Sequence, residues 1–219
     1  MYYIGVDLGG TNIAIGIVNE DFEIVKKGST PTKPERGADA IVADMAALSR
    51  KLIEEMGITM DDIASAGVAT PGTANNETGV VEYANNIPFL QYPLADKLSA
   101  LLDGKPVYIE NDANAAAKAE AMAGVAKGAP YSVMITLGTG LGGGIVINGK
   151  VYSGFNFAGA ELGHIVIEKD GRQCSCGRKG CWEAYSSATG LVNMTKDAIL
   201  AARESGSATA MEEMIGGDL

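Results

Sequence analysis

A strand-like run, a glycine-rich turn and a second strand-like run occur twice in this chain. The first set is Tyr2–Asp7, then Leu8-Gly9-Gly10-Thr11-Asn12, then Ile13–Val18. The second is Val133–Leu137, then Gly138-Thr139-Gly140-Leu141-Gly142-Gly143, then Gly144–Asn148. Asp7-Leu8-Gly9-Gly10-Thr11 lies over Thr136-Leu137-Gly138-Thr139-Gly140. One such hairpin says little, because glycine is the default residue of tight hairpin turns. Two, each opening a stretch of mixed strands and helices, point to two similar α/β lobes facing each other. The expected lobes are residues 1–111 and 112–219, hinged near Glu110–Asp112, with the second incomplete at its C-terminal end.

The intervening periodicity supports an α/β chain. Phe22–Thr30 reads as a third strand. Ala38–Met56 reads as a helix, because Ile41, Met45, Leu48, Leu52 and Ile53 recur at helical spacing. Ile63–Ala69 is strand-like, and the stretch from Thr70 to Pro88 is loop-rich. Leu94–Leu102 is a short helix, Val107–Glu110 a strand, and Ala113–Ala123 an alanine-rich helix that either Asn111 or Asp112 can cap. Ser187–Arg203 is a further helix, and Met211–Ile215 begins another.

Length and charge exclude several classes. With 219 residues, 47% of them hydrophobic, the chain can build one large domain or two small ones. No apolar run reaches the roughly 18–20 residues of a membrane span. The N-terminus runs straight into a strand without the basic start of a signal peptide, so a cytoplasmic protein that does not engage membranes is expected. A net charge of −10, from 27 acidic and 17 basic residues, argues against a nucleic-acid surface, which would show a basic stripe.

Three groups of residues can carry chemistry. All three cysteines and the single histidine lie between positions 164 and 181, as His164, Cys174, Cys176 and Cys181. One histidine and three thiolates complete a tetrahedral zinc set, and a site closed by four protein ligands is structural. The alternatives are unligated thiols beside a buried histidine, or a disulfide. The disulfide is disfavoured by the odd cysteine count and by how close Cys174 and Cys176 lie. The glycine turns offer backbone N–H groups and threonine hydroxyls to an anion, and Asp7 can hold a phosphate-bound Mg²⁺ through water. Ordinary hairpin turns are the alternative. No G-x-x-x-x-G-K-[ST] motif is present, so a nucleotide would have to sit between lobes. Asp112, at the exit of a strand and the start of a helix, is placed to accept a hydroxyl proton in phosphoryl transfer, or is a plain helix cap. Glu161 and Glu183 flank the cysteine cluster, and a metal-bound His164 keeps a second ring nitrogen for another partner. Surface solvation is the alternative for both carboxylates.

Together these segments resemble the ROK family of sugar kinases and sugar-responsive repressors. Asp7-Leu8-Gly9-Gly10-Thr11 is similar to its first phosphate motif, and Leu137 to Ile145, with Gly154, Ala160, Gly163 and His164 following, to its signature. Glu110-Asn111-Asp112 resembles the catalytic segment, and Cys174 to Cys181 the zinc motif. The resemblance implies an actin-like, ribonuclease-H-type two-lobed α/β fold with a zinc-binding loop. It implies ATP-dependent phosphorylation of a hexose, most often glucose at O6, with Mg²⁺ accompanying ATP. It assigns Asp112 as general base. Asn111, Asp112, Glu161, His164 and Glu183 would hold sugar hydroxyls, and Gly72 and Asn86 would line the sugar pocket. Asp7, Gly9, Gly10, Thr11, Gly138 and Thr139 would face the ATP phosphates, and His164, Cys174, Cys176 and Cys181 would bind structural zinc. The alternatives within the family are a kinase for N-acetylmannosamine or fructose and a non-catalytic sugar sensor. The repressors of the family carry an N-terminal helix-turn-helix, whereas this chain opens on the first strand, so no DNA binding is expected. A homodimer is expected of the full-length protein.

Overall fold

The computed structural model describes residues 1–207 and 209–211. The helix expected over Met211–Ile215 lies outside these residues, save for Met211. The chain separates into two compact units: residues 1–132 with 145–160, and residues 133–144 with 161–219.

The first unit is built on a five-stranded sheet. Strands β1 (Tyr2–Leu8), β2 (Asn12–Val18) and β3 (Ile24–Pro31) form an antiparallel meander. Helix α1 (Ala38–Glu55) leads to β4 (Ile63–Thr70), which pairs parallel with β1. Three short strands follow, β5 (Thr73–Asn75), β6 (Val80–Tyr83) and β7 (Leu90–Tyr92), forming their own small sheet in the order β5-β6-β7. Helix α2 (Leu94–Leu101) then leads to β8 (Val107–Asn111), parallel to β4. The resulting order, β3-β2-β1-β4-β8, is the ribonuclease-H arrangement.

Strand alternation decides which face is buried. Ile4, Val6 and Leu8 of β1 and Ile13, Ile15 and Ile17 of β2 all point to one side and are buried. The helical stripe Ile41, Val42, Met45, Leu52 and Ile53 of α1, with Leu94 and Leu98 of α2, joins the same core. Asp7 and Glu110 fall at positions of opposite parity from this core, at the far face of the sheet. Helix α3 (Asp112–Met122) packs against β4 and β8.

Two strands of the short sheet, β5 and β6, lie in the stretch from Thr70 to Pro88 expected to be loop-rich, and β7 follows just after it. Strands of three or four residues give too few alternations to register as a period, and Phe89, just before β7, stacks on Tyr92 at its end (ring centroids 4.7 Å apart).

The repeat of the opening hairpin is real in topology. Strands β9 (Tyr131–Leu137), β10 (Leu141–Ile147) and β11 (Lys150–Val151) form a sheet in the order β11-β10-β9, matching β3-β2-β1. The division between the two units passes through this second hairpin. In the second unit the cysteine segment is followed by the single-turn α4 (Glu183–Ser186) and then α5 (Ala188–Glu204), whose first turn is capped by the Ser187 hydroxyl accepting the Gly190 N–H at 3.0 Å.

Candidate functional site

Strand register assembles the first half of the site. Parallel strands β1, β4 and β8 end on one edge, with Asp7 paired to Ala69, Ala69 to Glu110, and Thr70 to Asn111. The carboxyl edge of parallel strands is where α/β proteins take ligands, because helix N-termini and strand-end loops converge there. Asp7, Asn111 and Asp112 therefore share one edge of the first unit.

The first glycine turn is held from below. The Gly9 N–H donates to the Asn12 carbonyl at 2.9 Å and closes the turn. Thr32, fully buried, donates its hydroxyl to the Gly9 carbonyl at 2.7 Å and its N–H to the Thr11 carbonyl at 3.0 Å. Asn86 crowds the turn: a Cβ on Gly10 would stand 3.0 Å from the Asn86 Cβ. Thr32 is a supporting residue that the sequence alone does not reveal, since its partner lies 23 positions earlier.

At the β8–α3 joint, Asn111 is the cap. Its side-chain oxygen accepts the Asn114 N–H at 3.1 Å, and its amide donates to the Gly72 carbonyl at 3.1 Å. Gly72 sits at φ 86°, and a Cβ there would lie 2.1 Å from the Tyr83 carbonyl oxygen, so the Gly72 loop can approach Asn111 only as glycine. Asp112 begins the helix and accepts the Ala113 N–H at 2.8 Å. Asp112 is an exposed residue, yet the surrounding protein partly desolvates its carboxylate. That desolvation, reinforced by the negative charge of Asp7, raises its pKa above the ordinary carboxylate value; hydrogen bonds, chiefly from Ala113, offset part of the rise.

The second unit holds the cysteine cluster. One donor atom from each of His164, Cys174, Cys176 and Cys181 lies within 4.8 Å of all the others. The His164 Nδ1 is 3.7 Å from the Cys174 Sγ, and the Cys176 and Cys181 sulfurs are 3.7 Å apart. Ligands at zinc bond lengths sit about 3.5–3.8 Å from one another in a tetrahedron, so the set fits a divalent soft-tolerant cation. Desolvation pushes the Cys176 thiol up, but hydrogen bonds from the Arg178 backbone and side chain and from the other two thiols outweigh it and bring it down to about 6. Cys181 is pushed up to about 11 by desolvation and by donating to its neighbours.

The knuckle is a backbone construction. The Gly177 N–H donates to the Cys174 carbonyl and the Cys174 N–H to the Arg178 carbonyl, at 3.1 and 2.9 Å. Arg178 reaches back to the His164 carbonyl at 2.8 Å. Gly180 sits at φ 78°, and a Cβ there would be 1.7 Å from the Glu168 carbonyl oxygen. Gly180→Ala is expected to break the knuckle: the left-handed backbone alone costs about 1–3 kcal/mol, and the clash adds to it. Thermal unfolding together with metal stoichiometry measures this; a variant with wild-type melting and full metal uptake would contradict it.

Glu183 joins the knuckle to the second glycine turn. One carboxylate oxygen accepts the Leu141 N–H at 2.9 Å, and the other accepts the Ser175 hydroxyl at 3.1 Å. The turn closes on itself through the Gly138 N–H to the Gly140 carbonyl at 3.0 Å. The first turn of α5 docks on it, with the Ala188 N–H on the Gly138 carbonyl at 2.9 Å and the Thr189 N–H on the Thr139 carbonyl at 3.4 Å. Glu161 precedes the short turn Leu162–His164 that presents the histidine, and its backbone carbonyl accepts the His164 N–H at 3.1 Å. The expected site residues therefore fall into two sets. Asp7, Gly9, Gly10, Thr11, Gly72, Asn86, Asn111 and Asp112 belong to the first unit; Gly138, Thr139, Glu161, His164, Glu183 and the three cysteines belong to the second.

The sheet order and the repeated glycine hairpin define an actin-like, ribonuclease-H-type α/β fold of the sugar-kinase class. The chain belongs to the ROK family, whose pattern matches residues 3–215. It is 40% identical over 189 residues to a glucokinase of Thermotoga maritima, covering 86% of this chain and 58% of that relative. It is 35% identical to an N-acetyl-D-glucosamine kinase of Aliivibrio salmonicida, covering 98% of this chain and 75% of the relative. Among solved structures, a ROK family glucokinase from Streptomyces griseus in complex with glucose and AMPPNP superposes with a TM-score of 0.78 at 39% identity, covering 93% of this chain and 63% of that one. The chain thus spans 58% of the length of the Thermotoga relative. Among the described residues no helix is long and apolar enough to cross a membrane.

Proposed function

We propose that this chain carries the sugar site and the catalytic base of an ATP-dependent hexose kinase that makes a hexose 6-phosphate, with glucose as the leading substrate. The observation that carries the reading is Asp112, the first residue of α3 at the carboxyl edge of the sheet, close enough to feel the charge of Asp7. A carboxylate with a raised pKa is a better base for a hydroxyl proton, because its proton affinity lies nearer the working pH. Asp112 takes the O6 proton as O6 attacks the γ-phosphorus, and the bond from phosphorus to the bridging oxygen of ADP breaks.

In this reading Asn111, Glu161, His164 and Glu183 accept and donate hydrogen bonds to the sugar hydroxyls, and Gly72 and Asn86 border them. Polar groups matched to several hydroxyls discriminate strongly, since a wrong sugar leaves them unpaired. The Gly9 and Gly138 amides are committed to closing their turns. The expected phosphate contacts then fall to Gly10, Thr11 and Thr139, with Asp7 facing the metal that accompanies ATP. Mg²⁺ with the nucleotide would offset charge on the phosphates. His164, Cys174, Cys176 and Cys181 would hold zinc structurally, its role being to fix His164 and the base of Glu183.

A coupled ADP-release assay with a panel of hexoses, run beside calorimetry of sugar binding, tests the reading. The expected result is turnover highest with glucose. Sugar binding without ATP turnover would assign the chain to a non-catalytic sensor instead. The 35% identity to an N-acetyl-D-glucosamine kinase favours a second reading, an N-acetylhexosamine kinase, which the same panel separates by the ratio of kcat/KM values.

A further inference from the structure

We infer that Glu110 is a positioning residue for Asp112, acting through a hydrogen-bonded brace that ties the β5–β6 turn to the β8–α3 joint. This rests on the reading of Asp112 as the general base.

Three donors converge on the Glu110 carboxylate. Its Oε2 accepts the Asn76 side-chain amide at 2.7 Å. Its Oε1 accepts the Asn111 N–H at 3.0 Å and the Asn114 side-chain amide at 3.4 Å. Asn76 lies in the turn between β5 and β6, Asn111 is the helix cap, and Asn114 is buried in the first turn of α3. The same joint is gripped a second time through Asn111 and the Gly72 carbonyl. Asp112 emerges between these anchors. With neither anchor the strand-to-helix junction would be free to rock, and a base displaced by about 1 Å can lose about 100-fold in rate.

The chemistry of the joint explains why an acceptor is needed there. The N-terminus of an 11-residue helix presents unpaired N–H groups, which a hydrogen-bond acceptor beside it can satisfy. The Asn114 side-chain oxygen is buried and has no donor among the described residues, so its amide has only Glu110 to define its orientation. Asn76 and Glu110 also border a cavity of about 580 Å³ lined by Lys118 and Lys150. Removing the Glu110 side chain would therefore admit water rather than draw in a replacement, leaving the joint unsupported.

The contact calls for an acceptor of the right shape, not for charge. Glutamine keeps Oε1 for Asn111 and Asn114, and Asn76 can turn its own amide oxygen toward the new Nε2. Glu110→Leu is expected to lower kcat about tenfold or more while the KM for ATP stays within about twofold; the KM for hexose should rise by less than kcat falls, because Asn111, which Glu110 also holds, bears on the sugar. Hydrogen exchange of the backbone over residues 111–114 should quicken, and Glu110→Gln should restore both readouts; Asn76→Ala should show a weaker version of the leucine effect. Unchanged exchange at the joint in Glu110→Leu would overturn the brace. A loosened joint with unchanged kcat would overturn the positioning role, as would a glutamine variant no better than leucine. If the wild-type chain turns over no hexose, the kinase reading fails, and exchange at the joint still decides the brace on its own.

Discussion

Asp112→Ala is expected to cut hexose phosphorylation by about 10²–10⁴-fold, the range general-base catalysis supplies, while sugar affinity measured by calorimetry changes little. The joint itself survives the substitution, because the cap is Asn111 and the brace is Glu110. A variant that keeps near-wild-type turnover would remove Asp112 from the mechanism. The acid limb of the rate profile should also sit above the ordinary carboxylate range, since the rate needs the deprotonated form and crowding with Asp7 raises the pKa. Stability moves the opposite way. The native state holds its proton to higher pH than the unfolded chain, whose aspartates titrate near about 3.9. Between that value and the raised native one the folded form binds more protons, so stability falls as pH rises, and the deficit is complete above the native pKa. Asp112→Asn should therefore melt slightly higher than wild type at neutral pH while being catalytically poor. A lower melting temperature for the asparagine variant would contradict the assigned direction.

Cys176→Ser should have the second largest effect. A hydroxyl is a poor ligand for a cation chosen by two remaining thiolates and an imidazole. Loss of an outer-shell partner already costs about 10–100-fold in metal affinity, so loss of a ligand is expected to exceed about 100-fold. The consequence should travel beyond the knuckle. Ser175 and Glu183 are hydrogen-bonded, Glu183 holds the Leu141 N–H, and Arg178 holds the His164 carbonyl. Sugar binding, read by calorimetry on the metal-free and metal-loaded protein, should weaken about tenfold or more as His164 and Glu183 lose their fixed positions. Chelator competition measures the metal term separately. A metal-free protein with unchanged sugar affinity would cut the link between knuckle and pocket.

Much of this is legible in the sequence alone. Alternation in Ile4, Val6, Leu8 and Ile13, Ile15, Ile17 specifies two strands with one buried face, and the glycine turn between them specifies a hairpin. The stripe from Ile41 to Ile53 specifies α1. The spacing of one histidine and three cysteines anticipated a cluster whose donor atoms do converge. Asn111 and Asp112 were interchangeable as caps in the sequence, since both residue types accept a helix N–H; the fold chose Asn111, whose side chain also reaches Gly72. The small sheet β5-β6-β7 left no period to detect, because its strands are too short and its stability comes from packing.

What the sequence determined by itself is the set of local instructions: which segments alternate, which turn, and which thiols lie close along the chain. These depend on neighbours within a few positions. What only the tertiary structure decided is how distant polar groups meet. Thr32 under the Gly9 turn, Asn76 on Glu110, and Leu141 on Glu183 are pairings across 23, 34 and 42 positions. A hydrogen bond has a reach of about 3 Å and no sequence period, so only the packed sheet and its register bring such partners together.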